Sequence, residues 1–191
     1  MLNIILFGPP GAGKGTQSEK IIEKYHLYHI STGDLFRKHM GEGTALGRLA
    51  QEYIDEGNLV PDELVIKMVE IKIKSHAQAK GFIFDGFPRT VTQALALDAM
   101  LEKLNIPITT MLALEVEDEE LRMRIRLRSK TSGRADDQND ERINNRIKIY
   151  KEETLPVAEY YNNQSKYRGI NGTGSIDQIF NDICMVIDLI K

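Results

Sequence analysis

The chain has 191 residues, of which 41% are apolar and 28% are charged, values typical of one globular domain. Lysine and arginine number 25 against 28 aspartates and glutamates, and the net charge of −3 argues against nucleic-acid binding through bulk basicity. The single cysteine, Cys184, excludes an intramolecular disulfide, and no apolar run approaches the roughly 20 residues that span a membrane. The apolar start ends at Gly8, too early for a signal peptide. A cytoplasmic protein is therefore expected.

Short apolar runs alternate with longer amphipathic segments along the chain. The runs predict buried strands at 4–7, 28–30, 82–84, 110–114 and 167–170. The amphipathic patterns predict helices at 14–25, 32–40, 44–56, 61–77, 90–103, 118–129, 140–163 and 175–190. Start signals support three of these helices, namely Pro61 in a first turn, the acidic run Asp118–Glu120, and Ser175 as an N-cap. The alternation favours an α/β fold built on a parallel sheet.

Two segments interrupt this alternation. Residues 31–60 insert helices between the second and third predicted strands, and residues 129–140 form a polar, turn-rich loop between two predicted helices. Such excursions are typical of lids or of flaps that bind substrate, with plain surface loops as the alternative interpretation.

The stretch Gly8-Pro-Pro-Gly-Ala-Gly-Lys-Gly-Thr16 follows a predicted strand and opens a predicted helix. Its glycines let backbone N–H groups turn inward around phosphate oxygens, and the helix N-terminus adds its dipole. Lys14 is expected to reach the outer phosphates, so the stretch indicates a phosphate-binding loop and a P-loop fold. Gly15 stands where a Ser or Thr usually follows the lysine, so a hydroxyl ligand for Mg²⁺ falls to Thr16 or is replaced by water.

The apolar run Gly81-Phe-Ile-Phe-Asp85 ends in a carboxylate. At the carboxyl edge of a sheet beside the phosphate loop, Asp85 is expected to orient Mg²⁺ through bound water. The guanine-reading pattern Asn-Lys-x-Asp of signalling GTPases is absent from the sequence, which favours a kinase of nucleotides.

Three further motifs follow in order: Ser31-Thr-Gly-Asp34 with Arg37, Asp85-Gly-Phe-Pro-Arg89 with Gln93, and Thr131-Ser-Gly-Arg-Ala-Asp-Asp137. Together with the phosphate loop they resemble the adenylate kinases, in particular the short-lid form, from Asn3 to about Ile190. The resemblance implies a three-layer α/β/α P-loop fold with a five-stranded parallel sheet. It divides the single domain into a core (1–30, 61–127 and 139–191), a flap that binds the nucleoside monophosphate (31–60) and a short lid (about 128–138).

The resemblance also implies two nucleotide subsites. The AMP subsite would comprise Thr32, Arg37, Asn58, Leu59, Val60, Gly86, Phe87, Pro88, Arg89, Gln93, Arg134 and Arg146. The ATP subsite would comprise Gly11, Ala12, Gly13, Lys14, Gly15, Thr16, Arg124, Arg128 and Gly174. Gln93 would pair with the adenine edge of AMP, and the backbone at Gly174 would read the adenine of ATP. The catalytic groups would be Lys14, Arg89, Arg128, Arg134 and Arg146.

This sequence departs from the family pattern in the lid. The long lid with four metal ligands that some relatives carry is absent, so no structural zinc is expected. Arg146 is assigned from the pattern Asn-Asn-Arg-Ile-Lys-Ile-Tyr, and Arg142, four residues earlier on the same helical face, is the alternative. Asp136 and Asp137 are expected either to pair with lid arginines or to form a solvated turn.

The expected reaction is Mg·ATP + AMP ⇌ 2 ADP, with Mg²⁺ as the cofactor. The phosphate of AMP is already an anion near neutral pH, so no general base is needed. The four histidines lie outside every motif and are expected on the surface or on helix faces. The run from Arg122 to Lys130 is interpreted as charge complementary to a helix dipole, not as an RNA patch. ATP, AMP and ADP are the expected partners of a monomer that binds neither nucleic acid nor membrane.

Two alternatives remain open. A pyrimidine or other nucleoside monophosphate kinase would share the scaffold and differ at the base readers, Thr32 and Gln93. A non-catalytic nucleotide sensor would bind nucleotide without turnover, which the complete set of lysine and arginines argues against.

Overall fold

A computed structural model describes residues 1–133, 135–137 and 139–190. The strands are β1 (Leu2–Phe7), β2 (Tyr28–Ser31), β3 (Gly81–Asp85), β4 (Thr110–Glu115) and β5 (Tyr167–Asn171). The α-helices are α1 (Lys14–Tyr25), α2 (Thr32–Gly41), α3 (Ala45–Asp55), α4 (Asp62–Ser75), α5 (Val91–Lys103), α6 (Asp118–Ser132), α7 (Asp140–Ile149), α8 (Leu155–Asn162) and α9 (Ile176–Ile190). A 3₁₀ turn covers Ala135–Asp137, and a π-helical turn, Tyr150–Thr154, joins α7 to α8.

The strands form one parallel sheet in the order β2-β3-β1-β4-β5. The predicted α/β fold with a five-stranded parallel sheet is confirmed. Leu6 of β1 pairs with Asp85 of β3, which in turn pairs with Ser31 of β2. The carboxyl ends of these three strands therefore lie side by side, and the loops that follow them share one edge of the sheet.

Side chains of the central strand alternate between two buried faces. Ile5 and Phe7 pack with α4, α5 and α8, whereas Ile4 and Leu6 pack with α1 and α9. Full burial of each such side chain stabilises the fold by about 1.5–3 kcal/mol. A sheet covered on both faces explains why its strands read as continuous apolar runs.

Several helix boundaries differ from the sequence predictions, most of them by one or two residues. The predicted helix 140–163 is interrupted by the π-helical turn, because Pro156 at the start of α8 has no N–H to continue the i to i−4 ladder. Helix α6 continues to Ser132, three residues beyond its predicted end. Pro61 is the N-cap of α4 and not part of its first turn.

Two predicted start signals are confirmed. The acidic run that begins at Asp118 occupies the first turn of α6. Ser175 accepts a hydrogen bond at Oγ from the backbone N–H of Gln178, at 3.2 Å. Across the described ranges, no helix combines the length and apolarity needed to cross a membrane.

Candidate active site

A cleft of about 610 Å³ opens at the carboxyl edge of the sheet. Its walls come from the loop after β1, the loop after β3, helices α2, α6 and α7, and the segment before α4. Basic side chains on these walls, within the described part of the chain, are Lys14, Arg37, Arg89, Arg124, Arg128 and Arg146. Acidic ones are Glu19, Asp34, Asp85 and Asp136. The cleft therefore carries more basic than acidic side chains, and Asp34 and Asp136 pair with Arg37 and Arg146.

The loop between β1 and α1 requires its glycines. Gly11 has φ +84°, and a Cβ there would lie 2.8 Å from Ile125 Cγ1. Gly13 has φ +93° and is the N-cap of α1, where no described side chain caps the helix. The first N–H groups of α1 are thus left for a ligand, which is the arrangement of an anion site.

Lys14 folds back over this loop. Its Nζ donates to the carbonyl oxygens of Gly8, at 2.7 Å, and Pro9, at 3.0 Å. Removal from water, together with the nearby Arg89, Arg146 and Arg128, lowers the pKa of the ammonium to about 8, although Asp85 opposes the shift. Lys14 lies among several positive groups, as expected for a site that receives a polyanion.

Asp85 ends β3 at the floor of the cleft, and its side chain is 14% exposed. Its carboxylate and the cleft-lining Thr16 offer the oxygen ligands that Mg²⁺ prefers. The described residues contain no group of three His, Cys, Asp or Glu side chains placed to hold a metal ion. His29 on β2 lies with Nε2 3.8 Å from Asp85 Oδ2, so the prediction of a surface or helix-face position is wrong for this histidine.

Two side chains converge on the carbonyl oxygen of Gly86. Thr32 Oγ1 and Arg89 Nε each donate to it, at 2.8 Å. Gly86 has φ +72°, and the following Phe87–Pro88 peptide bond is cis. The pKa of Arg89 is lowered, because its guanidinium is removed from water inside the cleft and lies near the guanidinium groups of Arg146 and Arg37. The predicted monophosphate-binding residues of 86–89 and Thr32 thus lie together.

Segment 31–60 forms the opposite wall. Arg37 pairs with Asp34 on the same helix, and both line the cleft. Apolar side chains continue this wall toward α4: Phe36, Ile54, Leu59, Val60 and Val65. Asn145 of α7 donates to Glu56 O at 2.9 Å and to Asn58 Oδ1 at 3.0 Å. The predicted AMP-binding stretch 58–60 therefore contacts both the cleft and α7.

Two predicted catalytic arginines share one buried carboxylate. Arg128 donates from Nε and Nη2 to the two oxygens of Asp137, at 2.7 and 2.8 Å. Arg146 Nη1 donates to Asp137 Oδ1 at 2.7 Å and lies 2.9 Å from Asp136 Oδ2. Of the two alternatives for Asp136 and Asp137, pairing with arginines or a solvated turn, the structure shows pairing.

The alternative arginine, Arg142, is not among the cleft-lining residues of the described chain, whereas Arg146 is. Arg134 lies outside the described residues.

Arg124 links the cleft to the loop after β5. Its guanidinium donates to Glu120 Oε1 at 2.7 Å and to Gly172 O at 3.0 Å. Gly174 follows in this loop with φ +135° and does not line the cleft. Ala12, within the phosphate loop, is buried. Of the predicted ATP-binding residues, these two are the ones placed outside the cleft wall.

Gln93 lines the cleft from α5 and is 1% exposed. Its Nε2 donates to Asp62 Oδ1 at 2.8 Å, and its Oε1 accepts from the backbone N–H of Arg89 at 2.8 Å. Thr90 Oγ1 donates to the other oxygen of Asp62 at 2.9 Å. The predicted base reader is thus held by an aspartate that sequence reasoning missed, because Asp62 has the pattern of an ordinary acidic helix start.

Tyr150 and Thr154, both in the π-helical turn, also line the cleft and were not predicted. Such turns are frequent at functional sites. Pro156, which breaks the helical pattern, is the one sequence signal that marks this turn.

Comparison with known proteins identifies a family for the chain. A family model described as Adenylate kinase matches residues 6–166. An adenylate kinase of Bacteroides fragilis is 51% identical over 188 residues, which cover 98% of this chain and 99% of that protein. An adenylate kinase of Flavobacterium psychrophilum is 50% identical over the same length and coverage. One from Parabacteroides distasonis is 49% identical over 191 residues, the whole of both chains.

The fold and cleft, taken with these matches, are those of a P-loop phosphotransferase that acts on a nucleoside monophosphate. The chain belongs to the adenylate kinase family. Of the activities considered from the sequence, the comparisons support that of an adenylate kinase over a pyrimidine kinase or a non-catalytic sensor.

Proposed function

We propose that this chain transfers the γ-phosphoryl group of Mg·ATP to AMP, giving two ADP, by an in-line reaction inside a cage of lysine and arginine side chains. The observation that carries the proposal is the convergence of Lys14, Arg89, Arg128 and Arg146 on one cleft between the phosphate loop and β3. Phosphoryl transfer depends mainly on positioning and electrostatic stabilisation, and such a cage supplies both.

Charge is the main obstacle to this reaction. ATP carries about four negative charges and AMP about two near neutral pH, so the nucleotides repel one another. The lysine and arginines of the cleft, with Mg²⁺, neutralise that charge as the two nucleotides approach. Planar guanidinium groups hold phosphate oxygens in pairs, which suits arginine to this role better than lysine. The attacking oxygen of AMP is already ionised, so the proposal includes no protein general base.

Two subsites fit the two ends of the cleft. The phosphate loop with Lys14 and Thr16 would hold the phosphates of ATP, with its adenine toward the loop of Gly174 that Arg124 contacts through Gly172. The other end, with its apolar wall and Gln93, would hold AMP. Thr32, Arg37 and residues 86–89 would surround the AMP phosphate, and residues 58–60 its adenine. Arg134 is retained as a proposed phosphate ligand from its motif alone.

The acidic partners of Arg128 and Arg146 suggest how nucleotide binding rearranges the site. Both guanidiniums are paired with Asp137, and a transferring phosphoryl group would compete for them. Residues 31–60 and about 128–138 would then act as flap and lid, and their closure would exclude water, the competing nucleophile.

Asp85 and Thr16 are the residues proposed to hold Mg²⁺, Asp85 through water. When bound with ATP, the ion would neutralise charge on the phosphates. Asp85, beside Lys14 on the cleft floor, contributes the negative charge that holds a cation there. No zinc site is proposed.

The proposal places the chain in the cytoplasm as a monomer. One cysteine provides no disulfide that would require an oxidising compartment. The cleft residues proposed for both nucleotides belong to the same chain, so the proposal needs no second copy. In the arginine-rich helix, Arg124 and Arg126 pair with Glu120 and Asp140, which supports a structural role for this run over nucleic-acid binding.

The test is to mix purified protein with Mg·ATP and AMP and to quantify all three nucleotides. We expect two ADP for each AMP consumed, the reverse reaction from ADP, and loss of ATP at least about 10³-fold slower when AMP is omitted. Rapid ATP hydrolysis without AMP would contradict the proposed exclusion of water. Nucleotide binding with no turnover would contradict catalysis altogether.

A further inference from the structure

The side chain of Gln93 is held at both polar atoms by the core of the protein. Asp62 accepts from Nε2, and the backbone N–H of Arg89 donates to Oε1, each at 2.8 Å. Asp62 is itself fixed, since its second oxygen accepts from Thr90 Oγ1. Asp62 begins α4, and Arg89, Thr90 and Gln93 lie at the start of α5, so all four residues follow the flap segment 31–60 in the chain.

These partners permit only one orientation of the Gln93 amide. A carboxylate accepts hydrogen bonds and a backbone N–H donates one, so rotating the amide by 180° would set oxygen against oxygen and N–H against N–H. A primary amide has two hydrogens and two lone pairs, and one of each is used by the core. The hydrogen that remains on Nε2 and the lone pair that remains on Oε1 therefore face a ligand in the cleft in fixed positions.

Purine monophosphates differ in the positions of the hydrogen-bond donor and acceptor that their bases present. At its N1 edge, a 6-aminopurine such as adenine presents the N6 amine donor beside the N1 ring-nitrogen acceptor. At the same edge a 6-oxopurine presents the O6 carbonyl acceptor beside the N1–H donor, which is the reverse order. An amide that cannot rotate pairs with one of the two and leaves buried polar groups unpaired against the other.

We propose that Asp62 is a specificity-determining positioning residue, which locks the Gln93 amide so that the cleft accepts a 6-aminopurine monophosphate and rejects a 6-oxopurine monophosphate. The inference rests on the proposed function, in which the base of AMP lies against Gln93. It goes beyond that function by assigning the discrimination to a carboxylate that need not touch the substrate.

The experiment compares kcat/KM for AMP and for inosine monophosphate, a 6-oxopurine, at saturating Mg·ATP. Asp62→Ala removes the acceptor, and Asp62→Ser supplies a hydroxyl that pairs with either orientation of the amide. Glu63→Gln is the matched control, because Glu63 is the exposed next residue and also lies in the acidic first turn of α4.

We expect the ratio of kcat/KM for AMP to that for inosine monophosphate to fall about tenfold or more in both Asp62 variants, as for loss of a hydrogen bond to a charged group. The backbone N–H of Arg89 remains, so the loss is partial. The change should lie mainly in the KM values of the monophosphates, with the KM of ATP unchanged, and Glu63→Gln should keep the wild-type ratio.

An unchanged ratio in a folded Asp62 variant would overturn the inference, as would an equal loss in Glu63→Gln. Melting temperatures identify the folded variants. If Asp62→Ala does not fold, the kcat/KM ratio of Asp62→Ser tests the inference in its place. Failure of the proposed function is a separate result, because the wild-type protein would then form no ADP from AMP and ATP.

Discussion

Replacing Asp137 by Asn tests the buried carboxylate at the centre of the site. Asp137 receives three N–H bonds of 2.7–2.8 Å from Arg128 and Arg146, and its side chain is 0% exposed. Asparagine keeps one acceptor oxygen, removes the charge and turns an amine toward a guanidinium. Removing one partner of a buried ion pair lowers the free energy of unfolding by about 3–5 kcal/mol. Because Arg128 is partly exposed, we expect a loss of about 2–3 kcal/mol here. The melting temperature should fall by about 5–10 °C.

Asp140→Asn is the matched control. Asp140 also pairs in a bidentate manner with an arginine, Arg126, at 3.0 and 3.2 Å. Its side chain and that of Arg126 are 66% and 62% exposed, however, and exposed ion pairs contribute less than about 1 kcal/mol. Asp140→Asn should therefore change the melting temperature by only about 3 °C or less.

The pH dependence has a defined sign. Burial alone would raise the pKa of the Asp137 carboxyl, but hydrogen bonds and charges from Arg128 and Arg146 hold it below its usual value. Its contribution to stability is therefore complete above about pH 4, the ordinary carboxyl pKa, and is lost as pH falls through the lowered value. Melting curves of both variants and the wild type from neutral to acid pH measure this. Equal losses for Asp137→Asn and Asp140→Asn, or a difference from wild type that persists at the lowest pH, would refute the reasoning.

Three further predictions concern Lys14 and Gln93. Lys14→Met should lower kcat by about 10²–10³-fold or more with little change in melting temperature, and retained turnover would remove Lys14 from the chemistry. Because its folded-state pKa of about 8 lies below the ordinary value of about 10.4, Lys14 loses its proton above pH 8 in the free protein. The kcat/KM for ATP should then decline above pH 8, and a flat kinetic profile to pH 9.5 would contradict this prediction. The contribution of Lys14 to the free energy of unfolding should rise with pH toward pH 10. Gln93→Asn should reduce selectivity for AMP over CMP, because the shorter amide no longer reaches the base edge; unchanged selectivity would exclude the pairing role.

Local patterns predicted the sheet and the phosphate loop. Continuous apolar runs such as Ile4–Phe7 mark strands buried on both faces, and glycines 8, 11 and 13 mark a turn that needs positive φ. Lys14 and Asp85 were predicted locally, because Lys14 stands in the glycine-rich loop after β1 and Asp85 ends β3. Arg89 and Arg128 were expected only from the resemblance to the adenylate kinases.

The remaining features depend on contacts between residues far apart in the chain. Asp62 holds Gln93 across 31 positions, and no periodicity links the two. For Asp137 the sequence left two alternatives open, pairing with lid arginines or a solvated turn, and its complete burial depends on Arg128 and Arg146, which reach it from two helices. The π-helical turn at 150–154 precedes Pro156, which has no N–H to continue the helical ladder, where helical periodicity alone predicted one continuous helix.

Initial rates with Mg·ATP and each of AMP, CMP, UMP, GMP and dAMP, with ADP formation followed, test the central claim most directly. We expect the rate with AMP to exceed those with CMP, UMP and GMP by a wide margin, as the fixed amide of Gln93 and the apolar wall of the cleft require. Comparable or higher rates with CMP or UMP would contradict the assignment of AMP as the substrate. Absence of turnover with all five, in protein that still binds ATP, would contradict the catalytic role of the lysine and arginine cage.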